Sequence, residues 1–203
     1  MNTLLDSRIT FKKAQKLIEG GADVSEPDAF GQTPLFYTNN SKIAQLYIEN
    51  GANVNHVDNN GHTPLFKVNN KAMAKLFIQH GADVNHKDKY GLNALYYINK
   101  SHIIDLLIKK QINFKMFDDD FYFPVDYQAD VRCARVYIKH GALPGKIDTF
   151  RKFRDLFTNE QQKAFGAFVM LTSDNDEFYH MCLAYMNNKK NNVKIEIQDM
   201  DII

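Results

Sequence analysis

Histidine and aspartate are the residues of this chain whose types and spacing invite chemistry. Of its seven histidines, His56 and His86 stand 30 residues apart inside two matching segments, and His80 and His140 each precede a glycine. Asp118, Asp119 and Asp120, with Asp126 and Asp130 close behind, form an acidic cluster of the kind a calcium loop uses. The cluster lacks the turn glycine and the distal bidentate glutamate of such a loop, so calcium is not expected. Cys133 and Cys182 are far apart and have no C-x-x-C partner, which argues against a disulfide scaffold and against a zinc site. No G-x-S-x-G, Gly-rich phosphate loop or Cys/His nucleophile spacing occurs. The expectation is a chain without metal, cofactor or catalytic residue.

The segments that hold these residues repeat. Asp28-Ala-Phe-Gly31-Gln-Thr33-Pro34-Leu35 returns as Asp58-Asn-Asn-Gly61-His-Thr63-Pro64-Leu65, and more loosely as Asp88-Lys-Tyr-Gly91-Leu-Asn93-Ala94-Leu95. Asn50-Gly51-Ala52-Asn53-Val54-Asn55 likewise becomes His80-Gly81-Ala82-Asp83-Val84-Asn85. One column reads Ile18, Ile48, Ile78, Ile108 and Ile138, and its neighbour reads Leu17, Tyr47, Phe77, Leu107 and Tyr137. Five units on a 30-residue period are therefore expected, over 1–27, 28–57, 58–87, 88–117 and 118–147.

Within a unit, Thr33-Pro34 reads as a helix start, the hydroxyl capping an N–H and the proline losing no bond at the first position. A short helix over about residues 34–39 is expected, then a turn, then a longer helix with Ile43, Leu46, Tyr47 and Ile48 on its apolar side. Asn50-Gly51 ends it, and a polar loop leads to the next tip. No such unit can bury its apolar stripe alone, so neighbours must stack. His56 and His86 then lie one stacking distance apart, roughly 8–10 Å, too far to share an ion whose ligands sit within about 2 Å. His80 and His140 fall at helix ends, where an imidazole suits the dipole.

D-x-x-G-x-T-P-L, an apolar helix and G-A-D-V-N together resemble the ankyrin repeat, with the period shortened from about 33 residues. The missing residues fall between Leu35 and Ile43, so the first helices should be about a turn shorter than usual. The resemblance covers residues 1–147 and implies an all-α ankyrin-repeat solenoid of helix-turn-helix units with protruding loops. Such compact stacks with short repeats resemble bacterial members of the family. They are implied to bind another protein through loop tips and the concave face.

The charge is close to balanced, with 25 Lys and Arg against 24 Asp and Glu. That argues against nucleic acid or a membrane surface as partner, since both demand concentrated positive charge. No stretch reads as a signal peptide or a membrane span. A cytoplasmic protein is expected, monomeric when free, with delivery by a machine that reads no N-terminal signal left open. Lys12, Lys13 and Lys16 read as the solvated outer face of an end repeat.

Toward the C-terminus the pattern drifts. Gln111 stands where glycine is expected, and Phe121 takes the tip-glycine position of the fifth unit. Phe150, Phe153, Leu156 and Phe157 then recur at helical spacing. Thr158 and Gln161 have the capping-box form, and a further helix is expected from Asp174, so residues 148–192 read as a helical C-terminal cap. Residues 193–203, beginning Val193-Lys-Ile195-Glu-Ile197, read as a strand-like or flexible tail.

The structural columns stay fixed while the tip columns vary, which marks the tips as the binding surface. The expected partner-binding residues are Phe30, Gln32, Asn60, His62, Lys89, Tyr90, Leu92, Tyr97, Asp119, Asp120, Tyr122 and Tyr127. Their aromatics suit an interface core, and the aspartates suit a partner with a basic patch. Tyr97 and Tyr127 have an inward-folded alternative between neighbouring loops. The biological forms considered are an inhibitor or immunity protein neutralising a toxin, and a host-directed effector or adaptor. The contrasting class is an enzyme whose site lies at the C-terminal cap, using Asp126, Asp130, His140 or His180.

Overall fold

The computed structural model describes residues 3–116, 118, 122–159 and 161–162, and divides into two compact units, Met1–Asn113 and Phe114–Ile203. Among the described residues every regular element is helical. The first unit holds α1 (Phe11–Glu19), α2 (Pro34–Tyr37), α3 (Ser41–Glu49), α4 (Lys71–Gln79) and α5 (Ser101–Lys109). The second holds α6 (Val131–Lys139), α7 (Ile147–Phe153) and a 3-10 turn over Arg154–Leu156.

The 30-residue period places the long helices in register. Each of α1, α3, α4, α5 and α6 is nine residues long. Asn40 Oδ1 caps α3 at Lys42 N (3.0 Å), and Asn70 Oδ1 caps α4 at Met73 N (2.9 Å). The C-terminal ends turn through Gly51 and Gly81 with positive φ, and Ala52 N and Ala82 N close back onto the carbonyls of Tyr47 and Phe77. Gln111 adopts the same left-handed geometry at φ 65°, with Ile112 N bonded to Leu107 O at 3.1 Å. The fold has thus kept the turn and left a side chain in a conformation that favours glycine.

The first helices are shorter than the sequence suggests. Pro34–Tyr37 is a four-residue α-turn, while Pro64–Lys67 and Ala94–Tyr96 are 3-10 turns. The expected helix to about Asn39 stops at Tyr37, while Asn40 caps α3, so the i→i+4 ladder has no room to grow. Nor do Thr33 and Thr63 cap through their hydroxyls, as expected. The N–H of Phe36 already goes to Thr33 O (2.9 Å) and that of Phe66 to Thr63 O (3.0 Å), and both hydroxyls are buried without a hydrogen bond. In the next copy Asn93 Oδ1 does cap, at Leu95 N (3.1 Å).

The core of the first unit runs through the column of Tyr47, Phe77 and Leu107, lined by Leu35, Leu65 and Leu95 and given close approach by Ala44 and Ala74, all buried. In the adjoining column Ile108 is buried but Ile48 and Ile78 are only half-buried, so at those two repeats Tyr47 and Phe77 carry more of the packing. Tyr47 lies fully buried with its hydroxyl donating to Leu4 O at 3.3 Å, and burial pushes its pKa up to about 12.

In the second unit Tyr137, Phe150, Phe153 and Phe157 are buried, the rings of Phe150 and Phe157 lying 5.2 Å apart. The capping box expected at Thr158 is present: Thr158 N donates to Gln161 Oε1 (2.9 Å) and Gln161 N to Thr158 Oγ1 (3.2 Å). The rest of the expected cap, with Cys182 and His180, and the 193–203 tail lie outside the described residues, as do Asp119, Asp120 and Phe121.

Candidate functional site

Each tip of the first unit is built around one aspartate. Asp28 Oδ1 accepts the N–H groups of Phe30 and Gln32, both at 2.9 Å, and Gly31 closes the turn with φ 76°. Asp58 does the same for Asn60 and His62, and Asp88 for Tyr90 and Leu92. The second carboxylate oxygen reaches to a partner beyond the turn. Asp28 Oδ2 accepts from the Tyr37 hydroxyl and Asp88 Oδ2 from that of Tyr97, each at 2.5 Å. The hydrogen bond to Asp28 pushes the Tyr37 pKa up to about 12.

In the middle copy Lys67 stands where the tyrosine would be, and Asp58 Oδ2 turns to the preceding repeat, accepting from Gln32 Nε2 at 2.8 Å. His62 fills the vacant place. Its ring is buried, stacked on Phe66 (centroids 4.9 Å apart) and set edge-on to Tyr97 (4.8 Å). Its Nδ1 lies 3.8 Å from Asp58 Oδ2 and its Nε2 3.5 Å from Asp88 Oδ2, and neither nitrogen makes a hydrogen bond. Burial raises the Asp58 carboxyl, but the N–H of His62, the Gln32 amide, the N–H of Asn60 and the His62 ring together hold it below the usual carboxylate range.

Neighbouring tips are bonded to one another. Asn59 N donates to Phe30 O (2.9 Å) and Lys89 N to Asn60 O (3.2 Å). A Cβ on Gly61 would lie 2.7 Å from Lys89 N, so this turn requires glycine for close approach as well as for its φ of 85°. His56 Nε2 meets Gly31 O (2.8 Å) and His86 Nε2 meets Gly61 O (2.9 Å), making each histidine a strut from the loop that ends a repeat back to the tip that begins it. Asn55 and Asn85 add rungs, each side chain bonding both a backbone C=O and a backbone N–H of the next repeat.

Against this frame the expected site residues separate. Phe30 and Tyr90 are 67% and 73% exposed, two repeats apart at equivalent positions, with Asn60 exposed between them and Lys89 exposed beside Tyr90. Gln32 and Leu92 are half-buried, and Gln32 is engaged with Asp58. His62, expected at the variable surface, points inward because its position lies past the tip glycine and the space left by Lys67 receives its ring. Tyr97 is anchored by Asp88 and leans on His62 and Phe66, yet keeps 42% of its surface exposed.

In the second unit, Asp118 accepts from Tyr122 N (2.9 Å) and from the Tyr127 hydroxyl, the same two-handed arrangement. Tyr122 and Tyr127 are partly exposed with their rings 5.6 Å apart, and Lys146 Nζ lies 4.5 Å over the Tyr122 ring. Asp130 caps α6 at Arg132 N (2.8 Å) and pairs with the Arg132 guanidinium, while His140 ends the same helix. Asp126 Oδ2 accepts the N–H groups of Phe123 (2.8 Å) and Gly145 (2.9 Å); burial nevertheless raises its carboxyl above the ordinary value. Among the described residues no three His, Cys, Asp or Glu side chains converge for a metal, and no helix is long and apolar enough to cross a membrane.

The Asp-Tyr pairing was open to a sequence reading: tyrosine follows the tip aspartate by nine residues at Asp28, Asp88 and Asp118. The inward turn of His62 had only the substitution of Lys67 to signal it. The chain matches the family described as ankyrin repeats (3 copies) over residues 9–88 and 37–118. Among curated proteins none matches it.

Proposed function

Because the chain belongs to the ankyrin-repeat family, whose repeats form protein-protein interaction modules, we propose that it holds a partner protein on the tips of its regular repeats. The finer reading is an inhibitor, an immunity protein that neutralises a toxin by covering its surface. The observation that carries the reading is the display of Phe30 and Tyr90. Two large aromatic rings stand in water on turns fixed by aspartate, glycine and inter-tip bonds. A preorganised aromatic surface of this kind loses little ordering entropy on binding and supplies the anchors that dominate interface energies. Asn60, Lys89 and the exposed part of Tyr97 form the polar and aromatic surround. The Asp118-Asp119-Asp120 run favours a partner with a basic patch, which would speed encounter more than it tightens the complex.

The test is capture from the native source by the full chain and by a Phe30→Ala, Tyr90→Ala variant. The wild type should retain a partner, and the variant should release it about tenfold faster or more. Asp119→Lys with Asp120→Lys should slow association in a salt-dependent way. Equal retention by wild type and aromatic variant, with unchanged circular dichroism, sinks the tip assignment.

A further inference from the structure

The long helices of the first unit carry a feature the tips do not explain. A groove of about 550 Å³ runs between α3 and α4 and is flanked at one end by α1. Leu46, Ala72 and Leu76 lie along it, and Phe11, 42% exposed at the start of α1, stands at its mouth. Lys42 and Lys75 project from its two sides.

The charge around the groove is lopsided in a chain that is otherwise balanced. Helices α1, α3 and α4 carry Lys12, Lys13, Lys16, Lys42, Lys71 and Lys75 against only Glu19 and Glu49. Both glutamates accept from a glutamine one turn earlier, Gln15 Nε2 at 2.9 Å and Gln45 Nε2 at 2.7 Å. The lysines read from sequence as the solvated side of an end repeat thus continue onto two further helices, and at the groove itself Lys42 and Lys75 stand with one carboxylate, Glu49, which Gln45 engages.

We propose that this groove is a second docking site, for an acidic amphipathic helix of a partner protein. Its leucines would enter along Leu46 and Leu76 and against Phe11, in the helix-in-groove manner, while its flanking carboxylates meet Lys42 and Lys75. An exposed phenylalanine beside apolar side chains gains from being covered, and unpaired ammonium groups at the rim select the sign of what covers it. Nucleic acid would use the lysines but leave the apolar floor idle. A membrane surface would need a broad apolar face, whereas Ser41, Lys42, Gln45, Glu49, Lys75 and Gln79 make the rim of this groove polar.

The experiment uses the full chain and a fluorescent peptide of about 18 residues, with leucines at i, i+3, i+4 and i+7 and glutamates at the exposed positions. Wild type should bind it with salt-sensitive affinity, and amide resonances of α1, α3 and α4 should shift. Lys42→Glu with Lys75→Glu, and separately Phe11→Ser, should each weaken binding about tenfold or more at unchanged circular dichroism. All three positions are exposed, so folding is not at stake. The charge-reversed variant should instead accept the same peptide with lysines in place of glutamates. The proposal is overturned if the acidic peptide does not bind, if either variant binds it as wild type does, or if a scrambled peptide of equal charge competes equally. It is equally overturned if single-stranded DNA or anionic vesicles displace the peptide from these helices.

Discussion

Asp58, in the regular repeats, and Asp126, in the second unit, each receive backbone N–H groups, yet their carboxyls shift in opposite directions. Asp58 stands at a tip, where its second oxygen meets the Gln32 amide and a histidine ring lies close by. Asp126 stands in the column that holds Phe36 and Phe66 in earlier repeats, both buried in the core. It is a carboxylate in an aromatic position, and the N–H groups it gathers do not outweigh the loss of water. The contrast shows a repeat frame being kept while a packing position is converted into a polar joint, from Phe123 to the start of α7.

The two regions can be set against each other by mutation, beginning with what they share. Phe77→Ala and Tyr137→Ala empty the same buried column in the two units, and each should cost about 3–5 kcal/mol in urea unfolding. Ile78→Ala, half-buried beside Phe77, should cost clearly less. Equal costs at Phe77 and Ile78 would show that the aromatic column is not the principal core.

The next effect separates the regions. Asp58→Asn puts an amide donor opposite either the tip N–H groups or the Gln32 amide, and should cost about 1–3 kcal/mol. Asp126→Asn keeps one oxygen for both N–H groups and removes the buried charge, so stability at neutral pH should stay within about 0.5 kcal/mol of wild type or rise. A larger loss at Asp126 than at Asp58 would break the comparison.

The signs follow the pH as well. The folded Asp58 carboxyl is depressed, so its contribution is present above the unfolded value of about 3.9 and is lost as pH falls through the folded one. The folded Asp126 carboxyl is raised, so its contribution is fully present below the unfolded value and is lost as pH rises through the folded one. Denaturation series from pH 3 to 7, taken with each asparagine variant, should therefore show pH slopes altered in opposite senses. Gln111→Gly should give a gain of about 1 kcal/mol from relief of the left-handed conformation.

Much of this was legible because the repeat is a physical register. Glycine after four of the five long helices, a capping asparagine before α3 and α4, and the aligned apolar columns fix where helices start, stop and face, and Gln111 after α5 shows the register holding without its preferred residue. The brevity of the first helices was only half legible, since the four residues Pro34–Tyr37 suffice for a turn whose bonding pattern depends on its neighbours. The paired roles of Asp28, Asp88 and Asp118 needed a side chain nine residues away. Asp126 looked like part of an acidic cluster because its column, and not its neighbours in sequence, determines its surroundings. Exposed Phe30 and Tyr90 were readable as candidates from variability, but the inward His62 was not.

The histidine struts and asparagine rungs each connect residues 25–28 positions apart, about one period. Closing such short loops costs little entropy and makes contact order low, so the first unit should fold quickly and be able to nucleate in any of its middle repeats. The same locality makes length adjustable. A duplicated copy of residues 58–87 would bring both halves of every strut and rung with it, so the gene for such a chain can grow or shrink by whole repeats while each added joint arrives already matched.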